Sequence, residues 1–278
     1  EADHDRQRYG GIERVDGGGA VILAVDIGNT ETMLGLFDGY DVHDSWRLST
    51  ERQRTGDELF LQIGALLGAR ATGAEQPERI VIASVVPVVD RAWEEAAARL
   101  GIPLVWIDWR TPLPVRLEVE EPHSVGADRI VNTLATKCLF ARDTIVVDLG
   151  TATTFDCISA EGAFLGGVIS PGPRAGIDRL HALSSKLPSV QIAPPDRVLG
   201  RNTVEALESG VFYSVVEGID GIVSRLLAEW GPEDPLVIAT GGLAELIAPH
   251  CRSVQEVDPY LTLKGLVCAD DHLTGASR

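Results

Sequence analysis

Two short segments of the chain place a carboxylate, a glycine and hydroxyl or amide side chains at matching positions. They are Asp26–Thr30 (DIGNT) and Asp148–Thr151 (DLGT). Phosphate groups are bound by backbone N–H groups that a glycine allows to approach closely, with hydroxyl groups as added donors. Carboxylates repel phosphate, so Asp26 and Asp148 would have to hold cations that bridge to it, and Mg²⁺ is the expected ion. The pattern therefore predicts two phosphate-binding turns.

A single turn of this composition is also an ordinary hairpin, because Asp, Asn and Gly are favoured turn residues. The two segments, however, are separated by about one domain length, which is typical of an internal repeat. A third glycine turn, Thr240–Gly242, follows an apolar run and would seat a nucleoside, although strand-to-helix connections share this composition. The repetition favours a duplicated domain whose two turns could face each other across a cleft.

Asp128 stands at the start of a predicted helix over Asp128–Leu139. An aspartate in this position is commonly a cap that accepts backbone N–H bonds and favours the positive end of the helix dipole. It could also accept a proton from a substrate hydroxyl while Arg129 pairs with an anionic group of the same substrate. The two roles are compatible, since a capping carboxylate can also be a base.

Apolar runs that alternate with helical patterns surround these segments and indicate an α/β architecture. Strands are predicted at 21–26, 33–37, 79–85, 104–107, 144–148, 155–159, 164–170 and 236–240. Helices are predicted at 57–67, 92–100, 128–139, 202–210, 211–230, 243–247 and from 262 onward. We expect residues 1–20 to form a flexible leader, followed by domains over 21–125 and 126–278.

The composition excludes several classes of function. Asp and Glu number 41 against 24 Lys and Arg, and a formal charge of −17 repels nucleic acid and anionic membranes. No apolar run approaches the roughly 20 residues that cross a bilayer. Four cysteines without a CxxC pair are typical of reduced thiols in a cytoplasmic protein. A serine hydrolase is disfavoured because no Gly-x-Ser-x-Gly elbow is present.

Five segments in order resemble type III pantothenate kinases. They are Asp26–Thr30, Gly126–Arg129, Asp148–Thr154, Gly200–Thr203 and Ala239–Ala244. The resemblance extends over residues 21–266, and five ordered motifs are far more specific than one turn. It implies the fold of the acetate and sugar kinase, Hsp70 and actin superfamily. In that α/β fold, two ribonuclease H-like (actin-like ATPase) domains from an internal duplication hold the nucleotide in the cleft between them.

The same resemblance implies an ATP-dependent kinase that phosphorylates the primary hydroxyl of pantothenate to 4′-phosphopantothenate, the first step of coenzyme A biosynthesis. The family works as a cytoplasmic homodimer with Mg²⁺ and a monovalent cation, K⁺ or NH₄⁺. Position by position, the resemblance implies a general base at Asp128, a monovalent-cation ligand at Asp148, an ATP contact at Thr151 and a substrate contact at Thr203. The matching ATP-phosphate loop consists of Asp26, Ile27, Gly28, Asn29, Thr30, Glu31, Thr32 and Met33, with Asp26 near Mg²⁺ through water. The matching pantothenate segment consists of Gly126, Ala127, Asp128 and Arg129.

Two other functions on the same scaffold stay open. One is a non-catalytic, nucleotide-binding regulatory protein, and the other is a phosphohydrolase that uses water as the acceptor. The three carboxylates Asp26, Asp128 and Asp148 are all present, whereas a lapsed enzyme would be expected to lose at least one. One departure from the family is Val119, where many relatives have a tyrosine that contacts the substrate. That contact is therefore absent or supplied by another residue.

Overall fold

The computed structural model describes residues 20–69, 76–177 and 187–275. They form two compact units. Within the described residues, the first unit takes in the chain up to 115, then 120–140 and the residues from 262 onward, and the second unit takes in 116–119 and 141–261. The chain therefore leaves the first unit after residue 140 and returns to it at residue 262.

The strands and helices alternate as the sequence indicated. The strands are β1 (Val21–Ile27), β2 (Glu31–Asp38), β3 (Asp41–Ser49), β4 (Arg79–Ser84), β5 (Leu104–Ile107), β6 (Arg116–Leu117), β7 (Thr144–Leu149), β8 (Ala152–Ile158), β9 (Ala163–Pro171), β10 (Leu236–Thr240) and β11 (Glu256–Val257). The helices are α1 (Gly56–Gly68), α2 (Asp90–Leu100), α3 (Ala127–Leu139), α4 (Thr203–Trp230), α5 (Ala244–Ile247) and α6 (Leu261–Thr274). A further helical turn covers residues 173–177. Among the described residues, no helix combines the length and the apolar character that a bilayer crossing requires.

The two units contain sheets of the same design. In the first unit the strand order is β3-β2-β1-β4-β5, and in the second it is β9-β8-β7-β10-β11 with β6 added at the β9 edge. In the first sheet β1 pairs antiparallel with β2 and parallel with β4. In the second sheet β7 pairs in the same way with β8 and β10. This shared order confirms the predicted internal duplication, because two unrelated sheets would have no reason to repeat it.

Helices cover both faces of the first sheet. Leu59 and Ile63 of α1 and Trp93 of α2 are buried in one apolar core with the inward residues of β1, β2 and β4. On the opposite face, a Cβ built on Gly35 of β2 would lie 2.8 Å from Leu263 of α6. The central strand β1 is buried almost throughout, which is why it reads as a continuous apolar run in the sequence.

The helices α3 and α6 belong to the first unit. The predicted domain division at residue 126 had placed both of them in the second domain. Arg79 at the start of β4 donates two hydrogen bonds to Asp270 of α6, at 2.8 and 3.0 Å. A Cβ built on Gly265 of α6 would lie 2.2 Å from the carbonyl oxygen of Val131 in α3. The contacts of α3 and α6 thus join them to the first sheet. The predicted leader, residues 1–20, lies outside the described residues except for Ala20.

The close crossing of α3 and α6 makes Gly265 the most size-sensitive position in this helix pair. We expect Gly265→Ala to lower the free energy of unfolding by about 1–3 kcal/mol, because rigid backbone must move to admit the methyl group. Gly64→Ala on α1 is the matched control, since its Cβ would meet only Leu100 Cδ2 at 4.0 Å. A helical glycine with space should gain about 0.5–1 kcal/mol on this change. Urea unfolding of both variants measures the difference, and equal effects would contradict the close crossing.

Candidate active site

The first predicted phosphate turn is the β1–β2 hairpin. Ile27 pairs with Thr32, and the N–H of Gly28 donates to the carbonyl oxygen of Glu31 at 3.0 Å. A Cβ on Gly28 would lie 2.9 Å from that same oxygen, so glycine is required for a turn this tight. Asn29, Thr30 and Glu31 are exposed at the tip, while Ile27 and Thr32 are buried. Ile27 can therefore contribute only its backbone to a ligand.

Residues just after β3 hold this turn from outside. The N–H of Thr50 donates to the carbonyl oxygen of Thr30 at 2.9 Å, and the hydroxyls of Thr32 and Thr50 lie 2.8 Å apart. The guanidinium of Arg52 donates to the side-chain oxygen of Asn29 at 3.4 Å. Arg52 brings a positive charge to the turn, and sequence reasoning gave it no role. Arg52 reaches the turn because β3, which it follows, pairs with β2, and this strand pairing was not predicted from the sequence.

Asp26 lies near the carboxyl end of β1, partly exposed, and Met33 faces it across the hairpin. The neighbouring parallel strand β4 ends beside it, since Ile27 pairs with Ser84 and the N–H of Val85 donates to the carbonyl oxygen of Ile27 at 3.1 Å. The carboxyl ends of adjacent parallel strands are the usual place for ligands in open α/β sheets. The first turn therefore lies at the expected edge of its sheet.

The start of α3 reaches this same edge. A Cβ on Gly126 would lie 3.4 Å from Val85 Cγ1, directly after β4, and 2.3 Å from Asp128 Oδ1. The carboxylate of Asp128 thus folds back over Gly126. Ala127 is buried as the first residue of the helix, and Arg129 is partly exposed. The Gly126–Arg129 segment therefore lies at the sheet edge where β1 and β4 end, within the first unit.

Asp128 is both a local acceptor and a perturbed acid. Its Oδ1 accepts a hydrogen bond from the N–H of Arg129 at 2.9 Å. The predicted capping role was wrong, because α3 begins one residue earlier, with Gly126 at its N-cap position and no side-chain cap. Burial raises the pKa of Asp128 above the ordinary aspartate value, and the N–H and charge of Arg129 only partly offset this. A raised pKa in a carboxyl group at the carboxyl edge of a sheet is a property that a general base requires.

The contact between Gly126 and Asp128 makes a prediction that separates catalysis from folding. In Gly126→Ala the new methyl group would occupy the space of Asp128 Oδ1, and the flexible carboxylate would move before the backbone did. We expect a fall in kcat with little change in unfolding free energy, because misplacing a reacting group by about 1 Å can cost on the order of 10²-fold. Steady-state kinetics beside urea unfolding measures both. Gly64→Ala is again the control, and an unchanged kcat in Gly126→Ala would contradict this role of the glycine.

The second predicted phosphate turn connects β7 to β8 in the second unit. Leu149 pairs with Thr153, and the N–H of Gly150 donates to the carbonyl oxygen of Ala152 at 3.1 Å. Gly150 and Thr151 are exposed at the tip, and Asp148 is partly exposed at the end of β7. The turn is one residue shorter than the β1–β2 turn, so the two copies share their residues but not their exact backbone.

Two other segments of the second unit pack against this turn. Gly241 has a φ of +90°, and its Cβ would lie 2.4 Å from Asp148 Oδ1. The predicted Thr240–Gly242 turn therefore lies beside Asp148, where β10 runs parallel to β7. A Cβ on Gly172 would lie 2.2 Å from the carbonyl oxygen of Thr151. Gly172 was not predicted, because a contact between distant segments leaves no local pattern in the sequence.

Thr203 and Val119 also lie in the second unit. Thr203 is the exposed first residue of α4, whose preceding Asn202 accepts the N–H of Glu205 at 3.0 Å. Val119 Cγ1 lies 3.9 Å from the position of a Cβ on Gly166 in β9.

The donor groups at the two turns suit cations that are held mostly by ligand and water. Among the described residues there is no cluster of three or more His, Cys, Asp or Glu side chains that would hold a metal by itself. Mg²⁺ in phosphate-transfer sites is usually bound through one or two carboxylates together with water and substrate phosphates. A single aspartate at each turn fits that mode of binding.

Comparison with known proteins gives one family. The family model for type III pantothenate kinase matches residues 22–225. A type III pantothenate kinase of Acidothermus cellulolyticus is 47% identical over 250 residues, covering 88% of this chain and 96% of that protein.

Solved structures share the fold at lower identity. A protein of Campylobacter jejuni, described as a candidate transcriptional activator of the Baf family, has a TM-score of 0.57 at 20% identity and covers 91% of this chain and 99% of its own. An activator of 2-hydroxyisocaproyl-CoA dehydratase from Clostridium difficile, solved with bound ADPNP, has a TM-score of 0.52 at 13% identity. The match covers 93% of this chain and 98% of that one. These likenesses confirm the predicted fold class.

Proposed function

Because this chain belongs to the type III pantothenate kinase family, it is an ATP-dependent pantothenate kinase of coenzyme A biosynthesis, and we propose that Asp128 is its general base. The observation that carries the proposal is the position of Asp128. Its carboxylate lies at the same sheet edge as the β1–β2 turn, and burial raises its pKa. The base would take the proton of the primary hydroxyl as that oxygen attacks the γ-phosphorus of ATP and ADP departs.

The two glycine turns would bind the ATP phosphates through backbone N–H groups and exposed hydroxyls. Thr30 and Thr151 are the exposed hydroxyl residues at their tips. Phosphoryl transfer has a loose transition state, so positioning and charge neutralisation supply most of the rate enhancement. Arg52, which hydrogen-bonds Asn29 at the first turn, would add positive charge there. No covalent intermediate on the protein is needed.

Asp26 would hold the Mg²⁺ that accompanies ATP, through water, and Asp148 would hold a monovalent cation, K⁺ or NH₄⁺. Such ions neutralise the phosphate charge as the leaving group develops. In support, the Cβ position of Gly150 lies 3.7 Å from Asp148 Oδ1 and 3.6 Å from the carbonyl oxygen of Ala152, so a carboxylate oxygen and a backbone oxygen both border this point of the turn. The Gly126–Arg129 segment and Thr203 would bind pantothenate.

A homodimer in the cytoplasm completes the proposal. Two-fold dimers are the commonest oligomers of soluble proteins, and light scattering that returned the mass of one chain would contradict the homodimer. The fold alone does not decide between enzyme and regulator, as the likeness to a candidate transcriptional activator illustrates. The intact set of Asp26, Asp128 and Asp148 favours the enzyme.

An assay of ADP release tests the function directly. The protein is given MgATP with and without pantothenate, first in potassium and then in sodium buffer. A kinase releases ADP only when pantothenate is present and phosphorylates it in equal amount. Equal release in both arms would identify a phosphohydrolase, and no release in either would favour the regulatory protein. Equal rates in potassium and sodium would contradict a specific monovalent-cation site at Asp148.

A further inference from the structure

Two of the four cysteines lie together on neighbouring helices of the first unit. The side chains of Cys138, near the end of α3, and Cys268, in the middle of α6, form a hydrogen bond with one another. The helices cross closely, as the contact between Gly265 and Val131 shows. The other two cysteines, Cys157 and Cys251, are buried in the second unit. No step of the proposed kinase reaction uses the Cys138–Cys268 pair.

The two thiols of the pair have different surroundings. Cys138 is exposed to solvent, whereas Cys268 is only 3% exposed. The hydrogen bond from Cys268 and the positive charge of Lys137 lower the pKa of Cys138, against the opposing effects of burial and of Asp271. The same hydrogen bond and burial raise the pKa of Cys268, whose sulfur also lies 3.6 Å from Tyr40 Oη. An accessible thiol of lowered pKa beside a buried thiol of raised pKa is the arrangement of an attacking and a resolving cysteine.

We propose that Cys138 and Cys268 form a reversible intramolecular disulfide, and that the oxidant is a small-molecule disulfide. The Cys138 thiolate attacks one sulfur of the oxidant, which gives a mixed disulfide and releases one small thiolate. The Cys268 thiol then loses its proton and attacks the Cys138 sulfur, so that the second small thiolate leaves. The two protein thiols are oxidised by two electrons, and the small disulfide is reduced to two thiols. Excess small thiol reverses both steps.

The geometry of the pair restricts this chemistry to these two residues. A disulfide requires Cα atoms within about 7 Å, which only closely packed elements provide. Cys157 and Cys251 are buried, at 8% and 9% exposed, and neither has an exposed, low-pKa neighbour like Cys138 described beside it; burial raises the pKa of their thiols to about 11 and about 12. They serve as internal controls, because a thiol that stays protonated and covered reacts slowly.

The test is oxidation of the full-length protein with glutathione disulfide, followed by denaturation and titration of free thiols. We expect two of the four thiols to be lost, and peptide mapping without reductant to find Cys138 joined to Cys268. Dithiothreitol should restore all four. Four free thiols after oxidation, or a disulfide that includes Cys157 or Cys251, would overturn the proposal.

Single substitutions assign the two roles. Cys138→Ser should abolish glutathione incorporation into the native protein, and its exposed position makes it tolerant of the change. Cys268→Ala should stop the reaction at the mixed disulfide, so glutathione stays attached to Cys138. Cys251→Ala should behave like the parent chain. If Cys268→Ala does not fold, the peptide map of the parent decides alone, and stable glutathionylation of Cys138 there would rule out Cys268 as the resolving thiol.

Discussion

Asp128→Asn should lower kcat for pantothenate phosphorylation by about 10²–10⁴-fold, the usual contribution of a general base. Asparagine keeps the size of the side chain and an oxygen that can accept the Arg129 N–H, so ATP affinity should stay near that of the parent chain. Steady-state kinetics and equilibrium ATP binding measure the two quantities. Glu94→Gln on α2 is the matched control, because it removes one exposed carboxylate from the same unit. Parent-like turnover in Asp128→Asn would refute the base.

The raised pKa of Asp128 gives the same variant a signature in pH. The base must be ionised, so kcat/KM of the parent should fall as pH drops through a pKa above the ordinary aspartate value of about 3.9. This limb should disappear in Asp128→Asn.

Ionisation of Asp128 is needed for activity but should lower the free energy of unfolding. A carboxyl group whose pKa is higher in the folded state binds its proton more tightly there, so stability decreases as pH rises from the unfolded to the folded pKa. At neutral pH the ionised group therefore costs stability. Asp128→Asn should be at least as resistant to urea as the parent at neutral pH, and a clear loss would mean that the carboxylate serves the fold more than the reaction.

Gly241→Ala is the second change with a large expected effect. The residue has a left-handed φ of +90°, and a methyl group would lie 2.4 Å from Asp148 Oδ1 and 2.8 Å from the backbone nitrogen of Leu149. We expect a lower free energy of unfolding and a fall of about tenfold or more in ATP affinity, since a loss of 1.4 kcal/mol in binding is tenfold. Urea unfolding and ATP titration measure the two effects.

Gly231→Ala is the control that separates the backbone strain of a left-handed φ from a steric clash of the new methyl group. Gly231 also has a left-handed φ, of +69°, after the last turn of α4, but nothing lies within 4 Å of its Cβ position. It should cost about 1–2 kcal/mol for the backbone alone and leave ATP binding unchanged. Gly241→Ala should cost about 1–3 kcal/mol more through the clash. Equal values for both variants would show that the turn does not press on Asp148.

Local patterns were sufficient for most elements of this fold. The buried strands β1, β4, β7 and β10 read as apolar runs because helices or neighbouring strands cover them. The edge strand β3 was missed, since its alternating exposure leaves a mostly polar sequence, Asp41–Ser49. The predicted break at residue 210 was wrong: α4 is one helix, and the Cβ position of Gly210 is open, so this glycine marks no helix end.

The motifs of the candidate site could be predicted from the sequence, but the residues that contact those motifs from distant segments could not. The repeated DxG segments and the GADR segment are contiguous, so their residue types alone indicated phosphate binding and a base. Arg52, Gly172 and Gly265 act through contacts with segments distant in sequence. One chain without such contacts provides no signal for them, because register and helix crossings are set by the packed structure.

The route of the chain through the two units has a consequence for its synthesis. The segment 141–261 is made before α6 emerges from the ribosome, which takes roughly 6–24 s at about 5–20 residues per second. During that interval the nascent N-terminal sheet lacks the helix that covers the Gly35 face, and Arg79 lacks Asp270. Until α6 is made, the uncovered face of the first sheet is therefore an apolar surface that a chaperone could bind. A premature stop before residue 262 would leave that face uncovered permanently.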